Sequence, residues 1–273
     1  MKRFNWPIWS ALGASLLLAS PILAAEPAAK TAGTAKTPAK PAAKIDAQAK
    51  TALSRMAETL AKADNISVVI SGSYDVVQAD GRKVQFSERR TMRLDRPGYL
   101  RVEAQESGGR KTVTAFDGTA ATLLDVKENV YGQADLKGST DDALRYLVQT
   151  LGVRLPLAML FTTTLPAELN QRLTALDYVE RDDLSGADHL AGRMTDVDFE
   201  IWTTAEGPAL PQRLTITYRT ATGQPQYRAA FSDWSLNAAN MPKPDLDLPA
   251  DAERIPFLAR SAAETKKSKG AAK

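Results

Sequence analysis

The spacing of apolar residues changes three times between Ile45 and the end of the patterned region, and each change marks a different kind of element. Ala49, Leu53, Met56, Ala57 and Leu60 recur at three- and four-residue intervals, the signature of one helix face, and Asp46 stands where an N-cap belongs. This helix is predicted to run down to Asp64 and Asn65. From Ile66 the period falls to two, and Ile66, Val68, Ile70, Tyr74 and Val76 share one strand face. Asp80-Gly81 turns the chain into Val84 and Phe86, which continue in alternation to Met92 and Leu94. Arg96-Pro97-Gly98 is the next turn, before Leu100, Val102 and Ala104. Asp117-Gly118 then joins two further apolar runs. The pattern predicts an antiparallel meander.

The middle of the chain returns to helical spacing. Ser139 or Thr140 can cap a helix whose first turn carries Asp141 and Asp142, where negative charge suits the helix dipole. Its apolar face is Ala143, Leu144, Leu147, Val148 and Leu151, and Gly152 ends it. Pro156 opens the strongly apolar stretch LPLAMLF, and a brief helix is predicted around Pro166 to Arg172. Strands resume in ALDYVERDDL, in DHLAGRMTDVDFEIWTT read as one continuous run, in LPQRLTITYRT and in QPQYRAAFSDWSL. The expected architecture is a single α+β domain: a helix, strands, a helical insertion, then more strands.

The two ends have a different composition. Lys2 and Arg3 precede an apolar stretch from Ile8 to Leu18, Pro21 breaks it, and Ala24 and Ala25 offer a small-residue cleavage site. That order predicts a secretory signal peptide over residues 1–25. The run is too short and too rich in serine for a membrane-spanning helix, which needs about 20 apolar residues. Residues 26–44 are almost entirely Ala, Lys, Pro and Thr, and residues 259–273 are similarly simple and basic. Both read as disordered, flanking a domain at 45–258.

Charge follows this division. The whole chain is +3, but Lys2 and Arg3, residues 26–44 and residues 259–273 together carry +9, which leaves −6 for residues 45–258. An acidic body with basic ends gives no support to a nucleic-acid groove. The absence of cysteine rules out a disulfide and the lipid-bearing cysteine of a bacterial lipoprotein, so the expected product is a free periplasmic protein that does not span the membrane.

Candidate chemistry is sparse. His189 is the only imidazole, nothing near it resembles a nucleophile elbow, and a transition-metal site is poorly served without cysteine. Asp196, Asp198 and Glu200 share one strand face, but Val197, Phe199 and Ile201 occupy the other, the pattern of an amphipathic strand with its acidic side in water. No catalytic residue, metal ligand or cofactor is assigned. Apolar capacity is what remains. Phe86, Met92, Trp202, Tyr218, Phe231 and Trp234 on the strands, with Leu157 and Phe161 in the insertion, are candidates either to fill a core or to line a cavity under the helices.

The order of these pieces carries a resemblance. The helix IDAQAKTALSRMAETLAKADNISV is followed by RPGYLRVEA, TAFDGTAATLLDVKENVYG, DDALRYLVQTLGVRLPLAMLF, DFEIWTT, LPQRLTITY and GQPQYRAAFSDWSLN. In this order and spacing the chain is similar to the LolA/LolB-like superfamily of periplasmic lipoprotein carriers, and within it to a family of predicted periplasmic proteins of unknown function. The resemblance implies an antiparallel β half-barrel around an apolar groove, with helices as a lid over the concave face. It implies carriage of an acyl chain, lipid or lipoprotein, and transfers no individual site residue. The alternative is a protein-binding or envelope-sensing module of the same fold, with a filled core and an envelope protein as its partner.

Overall fold

The computed structural model describes residues 44–239 and 246–257. The expected signal peptide, the basic tail and nearly all of the low-complexity linker lie outside the described residues.

Helix α1 (Ala47–Lys62) begins as the pattern requires: the Asp46 side chain accepts a hydrogen bond from the Ala49 amide at 2.9 Å. It ends two residues earlier than predicted, because the chain is extended at Ala63 and is already in strand β1 (Asn65–Val77) at Asn65. The meander continues through β2 (Lys83–Asp95), β3 (Tyr99–Glu106), β4 (Lys111–Phe116), β5 (Ala120–Asp125) and β6 (Val130–Asp135). The insertion contains α2 (Thr140–Arg145), a wide π-helical turn (Tyr146–Thr150), a 3-10 turn (Ala158–Phe161) and α3 (Leu165–Arg172). A second meander follows, β7 (Ala175–Asp182), β8 (Ala187–Arg193), β9 (Val197–Thr204), β10 (Pro211–Tyr218) and β11 (Gln226–Leu236), before the short β12 (Glu253–Arg254).

Among the described residues, all twelve strands belong to one open sheet, in the order β12-β6-β5-β4-β3-β2-β1-β11-β10-β9-β8-β7. Antiparallel pairing of β1 with β11 joins the two meanders, and among the described residues the only parallel pair between strands is β12 with β6. Helices cover one face of the sheet. Buried Ala49, Leu53, Met56 and Leu60 turn α1 toward β7, β8 and β9, while the part of the insertion from Leu155 to Phe161 lies over β1 to β3. Ile66, Leu94, Leu100 and Phe116 meet the helices from the sheet side in one continuous apolar cluster. The α+β half-barrel expectation therefore holds.

Two local readings are corrected. The run from Asp188 to Thr204 is not one strand, because Met194, Thr195 and Asp196 reverse it into the β8–β9 hairpin, closed by the Met194 amide donating to the Val197 carbonyl at 2.8 Å. The predicted second helix loses its α geometry after Arg145. The wider turn that follows rotates Val148 off the apolar face and leaves it 38% exposed, while Leu144 and Leu147 stay buried.

Candidate functional site

The site begins with how the insertion is tied down. Ser139 caps α2 in a reciprocal box: its Oγ accepts from the Asp142 amide at 3.2 Å, and Asp142 Oδ2 accepts from the Ser139 amide at 2.9 Å. Asp141 faces inward and accepts from the Thr163 amide at 3.0 Å and the Thr163 hydroxyl at 2.6 Å, which pins the far end of the 3-10 turn to α2. The π turn closes through the Leu151 amide to the Tyr146 carbonyl at 3.1 Å, and Gly152 at φ +66° redirects the chain. Residues 155–161 then cross the concave face as a lid.

The lid is apolar beneath and loosely tied above. Leu157 and Phe161 lie with Ile70, Met92 and Val102 around a small cavity of about 20 Å³, room for about one water molecule. Among the described residues, no backbone hydrogen bond joins lid to sheet; those it makes stay within the insertion. A side chain supplies the link instead. Arg96, in the β2–β3 turn, donates through Nη2 to the Phe161 carbonyl at 3.0 Å. Its Nε and Nη1 are buried without a hydrogen-bond partner, and burial holds the guanidinium below its ordinary pKa despite the charges of Asp141 and Asp64.

The sequence candidates divide by position. Met92, Leu157 and Phe161 meet at the cavity, and Phe161 continues into an aromatic row with Trp234 (6.4 Å between rings) and Phe231 (5.7 Å from Trp234). Trp234 also donates from Nε1 to the Pro211 carbonyl at 3.0 Å. Phe86 and Tyr218 share the concave side but lie away from the cavity: Phe86 is exposed on the β1–β2 hairpin against Tyr74, and Tyr218 packs at the end of β10. Trp202 is not brought to this group. Strand alternation in β9 buries Phe199, Ile201 and Thr203 and turns Trp202 to the other face, where it stacks on His189 at 4.0 Å and beneath Arg213.

His189 sits between Glu180 (3.8 Å) and Glu200 (3.4 Å), and the described residues contain no group of three side chains arranged to hold a metal ion. Asp198, from the acidic strand face, is bound by Arg193 at 2.6 Å and lies 3.1 Å from Arg219.

Sequence reasoning passed over a buried charged belt beside the cavity. Glu88 and Arg90 on β2 have the same strand parity as Met92 and Leu94, so both point under the lid. Arg90 grips the Glu88 carboxylate with two nitrogens, each at 2.9 Å, and Tyr227 donates its hydroxyl to the same carboxylate at 2.9 Å. Burial alone would raise the Glu88 pKa, but the hydrogen bonds and charges of Arg90, with the charge of Arg154, hold it below its ordinary value. Burial and the Glu88 charge push the Tyr227 phenol up, so it stays a donor. Gly72, opposite Glu88 on β1, makes the room: a Cβ there would lie 2.8 Å from the Tyr227 hydroxyl. The available signal was two charged residues at strand spacing on an otherwise apolar face.

Fold and site together define an open antiparallel sheet whose apolar concave face lies under a helical lid. The chain belongs to the DUF2092 family of predicted periplasmic proteins, whose family model matches residues 49–258. Among the described residues, no helix is long and apolar enough to cross a membrane. No curated protein sequence matches the chain. Among solved structures, it is similar to the Pseudomonas aeruginosa MucA/MucB complex, with 19% identity, 76% of this chain and 62% of that chain covered, and a TM-score of 0.40. This chain thus spans 62% of the length of that neighbour. It is also similar to LprF from Mycobacterium bovis (11% identity, 74% and 98% covered, TM-score 0.42). A LolA superfamily protein from Nitrosomonas europaea is another (11% identity, 74% and 98% covered, TM-score 0.35).

Proposed function

We propose that this protein is a periplasmic binding or carrier domain that takes an apolar chain, such as the acyl chain of a lipid or lipoprotein, between its lid and the concave face of the sheet. The supporting observation is the way the lid is held. Its underside rests on Ile70, Met92 and Val102, yet among the described residues it shares no backbone hydrogen bond with the sheet. Lifting it exposes apolar surface and leaves every strand pair intact. The closed gap of about 20 Å³ is far too small for a chain, so entry displaces the lid and the ligand takes over its apolar contacts. Each methylene buried contributes about 0.8 kcal/mol, so a chain of about ten supplies ~8 kcal/mol before the cost of moving the lid. The action is binding without chemistry: His189, the one imidazole of the chain, is on the far face of the sheet.

Native mass spectrometry of protein isolated from the periplasm tests this. The expected result is an adduct with the mass of an acyl-bearing molecule, released by organic extraction and recovered on adding a fluorescent fatty-acid probe. Protein that is empty and takes up no probe contradicts the proposal. A second reading, a protein-binding or sensing module, draws on the gap being nearly filled as it stands. It predicts a partner protein crosslinked in the periplasm and no lipid.

A further inference from the structure

The charged belt poses a question that the apolar reading leaves open. A buried ion pair is commonly no more stabilising than well-packed apolar residues of the same volume, so stability gives little reason to place one beside the cavity. The Glu88 side chain is fully buried, Arg90 nearly so, and Gly72 is shaped to admit them. Arg90 itself forms part of the cavity wall. Arg154 reaches the belt from the segment that leads into the lid, one residue before the lining residues Leu155, Pro156 and Leu157.

Arg154 differs from Arg90 in being uncommitted. Its Nη2 lies 3.6 Å from Glu88 Oε2, beyond hydrogen-bond length, and among the described residues it makes no hydrogen bond. The guanidinium carbon instead lies over the Tyr74 ring, 3.6 Å from its centroid, with the side chain 42% exposed. A planar donor group, resting over an aromatic ring and 42% exposed beside the buried pair whose Arg90 lines the apolar gap, suits a carboxylate or phosphate. The surrounding charges set the terms. Arg90 is balanced by Glu88, Glu106 lies across from Glu88 on β3, and Tyr218 and Tyr227 are kept neutral by burial. An incoming anion therefore competes with one long contact from Glu88 and no close one.

We infer that Arg154 is the headgroup contact of this site, and that the preferred ligand is an anionic amphiphile: a carboxylate or phosphate head at Arg154, with its chain under the lid against Met92 and Val102. This rests on the apolar-chain reading and deepens it. When the head binds, Arg154 exchanges Glu88 for the ligand, so the contact between the start of the lid and the sheet becomes the contact that holds the ligand.

The test is displacement of a fluorescent fatty-acid probe by dodecanoate, dodecyl phosphate and dodecanol, which share one chain and differ in the head. The wild-type protein is expected to favour at least one of the anions over the alcohol by about tenfold, the weight of one charge-assisted contact. Arg154→Gln is expected to bring that ratio close to one, while Arg181→Gln, on an exposed ion pair of β7, keeps it. Whichever anion is favoured identifies the head as fatty acid or phosphate lipid. Equal binding of all three, or a preference that survives Arg154→Gln, overturns the headgroup assignment and leaves chain binding standing. No displacement by any of them, with no probe uptake, removes both.

Discussion

Single positions in this protein show where packing leaves no room for change. Gly192 on β8 lies against Phe199 on β9, and a Cβ there would sit 2.2 Å from the ring. Gly192→Ala forces a buried ring aside and is expected to cost about 1–3 kcal/mol, read as a lower midpoint in urea. The Glu88–Arg90 pair makes a different prediction. Glu88→Leu strands a buried guanidinium and should cost about 3–5 kcal/mol, whereas Glu88→Leu with Arg90→Leu should recover most of the loss. Glu88 has a folded-state pKa below its ordinary value of 4.5, so its ionisation supports the fold above that value, and the support is lost as pH falls through the lower folded value. The stability gap between wild type and Glu88→Leu is therefore expected to narrow below about pH 4.5 in acid titrations followed by circular dichroism. Strand parity made Met92 legible as a residue facing the lid. The same parity points Glu88 and Arg90 inward, but a charged residue on a strand ordinarily reads as solvated, and its partners Tyr227 and Gly72 come from other strands.

At the scale of elements, the lid is the part that the proposed function requires to move. It is a short run that follows the π turn and ends in the 3-10 turn, and two side chains, Asp141 and Arg96, tie down its far end. Asp141→Ala removes the acceptor for Thr163 and is expected to speed hydrogen exchange in residues 155–164 by about tenfold, the weight of one charged hydrogen bond. Amides of β1 and β2 should keep their protection. Equal acceleration across lid and sheet would show that the lid unfolds only with the whole domain. The N-caps of α1 and α2 were legible, the second as a choice between Ser139 and Thr140, because they are local: Asp46 and Ser139 bond within three residues of themselves. The β8–β9 turn was not. It contains neither glycine nor proline, and Arg219 from the end of β10 supports it by donating to the carbonyls of Met194 and Thr195. The π turn was hidden for the reverse reason, since its apolar spacing fits an ordinary helix.

Across the whole molecule, the alternation of strands and turns was enough to read two meanders around a helical insertion. The pairing that makes them one sheet, β1 with β11, joins residues more than 150 positions apart and leaves no local mark. The same holds at one edge of the sheet. There the C-terminal segment pairs Glu253 and Arg254 with β6, and Phe257 rests on Gly132, whose missing side chain leaves room for the ring. The resulting molecule keeps its apolar concave face under a lid that, among the described residues, shares no backbone hydrogen bond with the sheet, and this arrangement is the basis of the proposed function. Photolabelling tests it most directly: a fatty acid carrying a diazirine on its chain is bound, irradiated and located by peptide mass spectrometry. Saturable labelling on Met92, Val102, Leu157 or Phe161, competed by unlabelled fatty acid, is the predicted result. Label confined to exposed residues such as Leu184 and Val179, or label that never saturates, would contradict an acyl site beneath the lid.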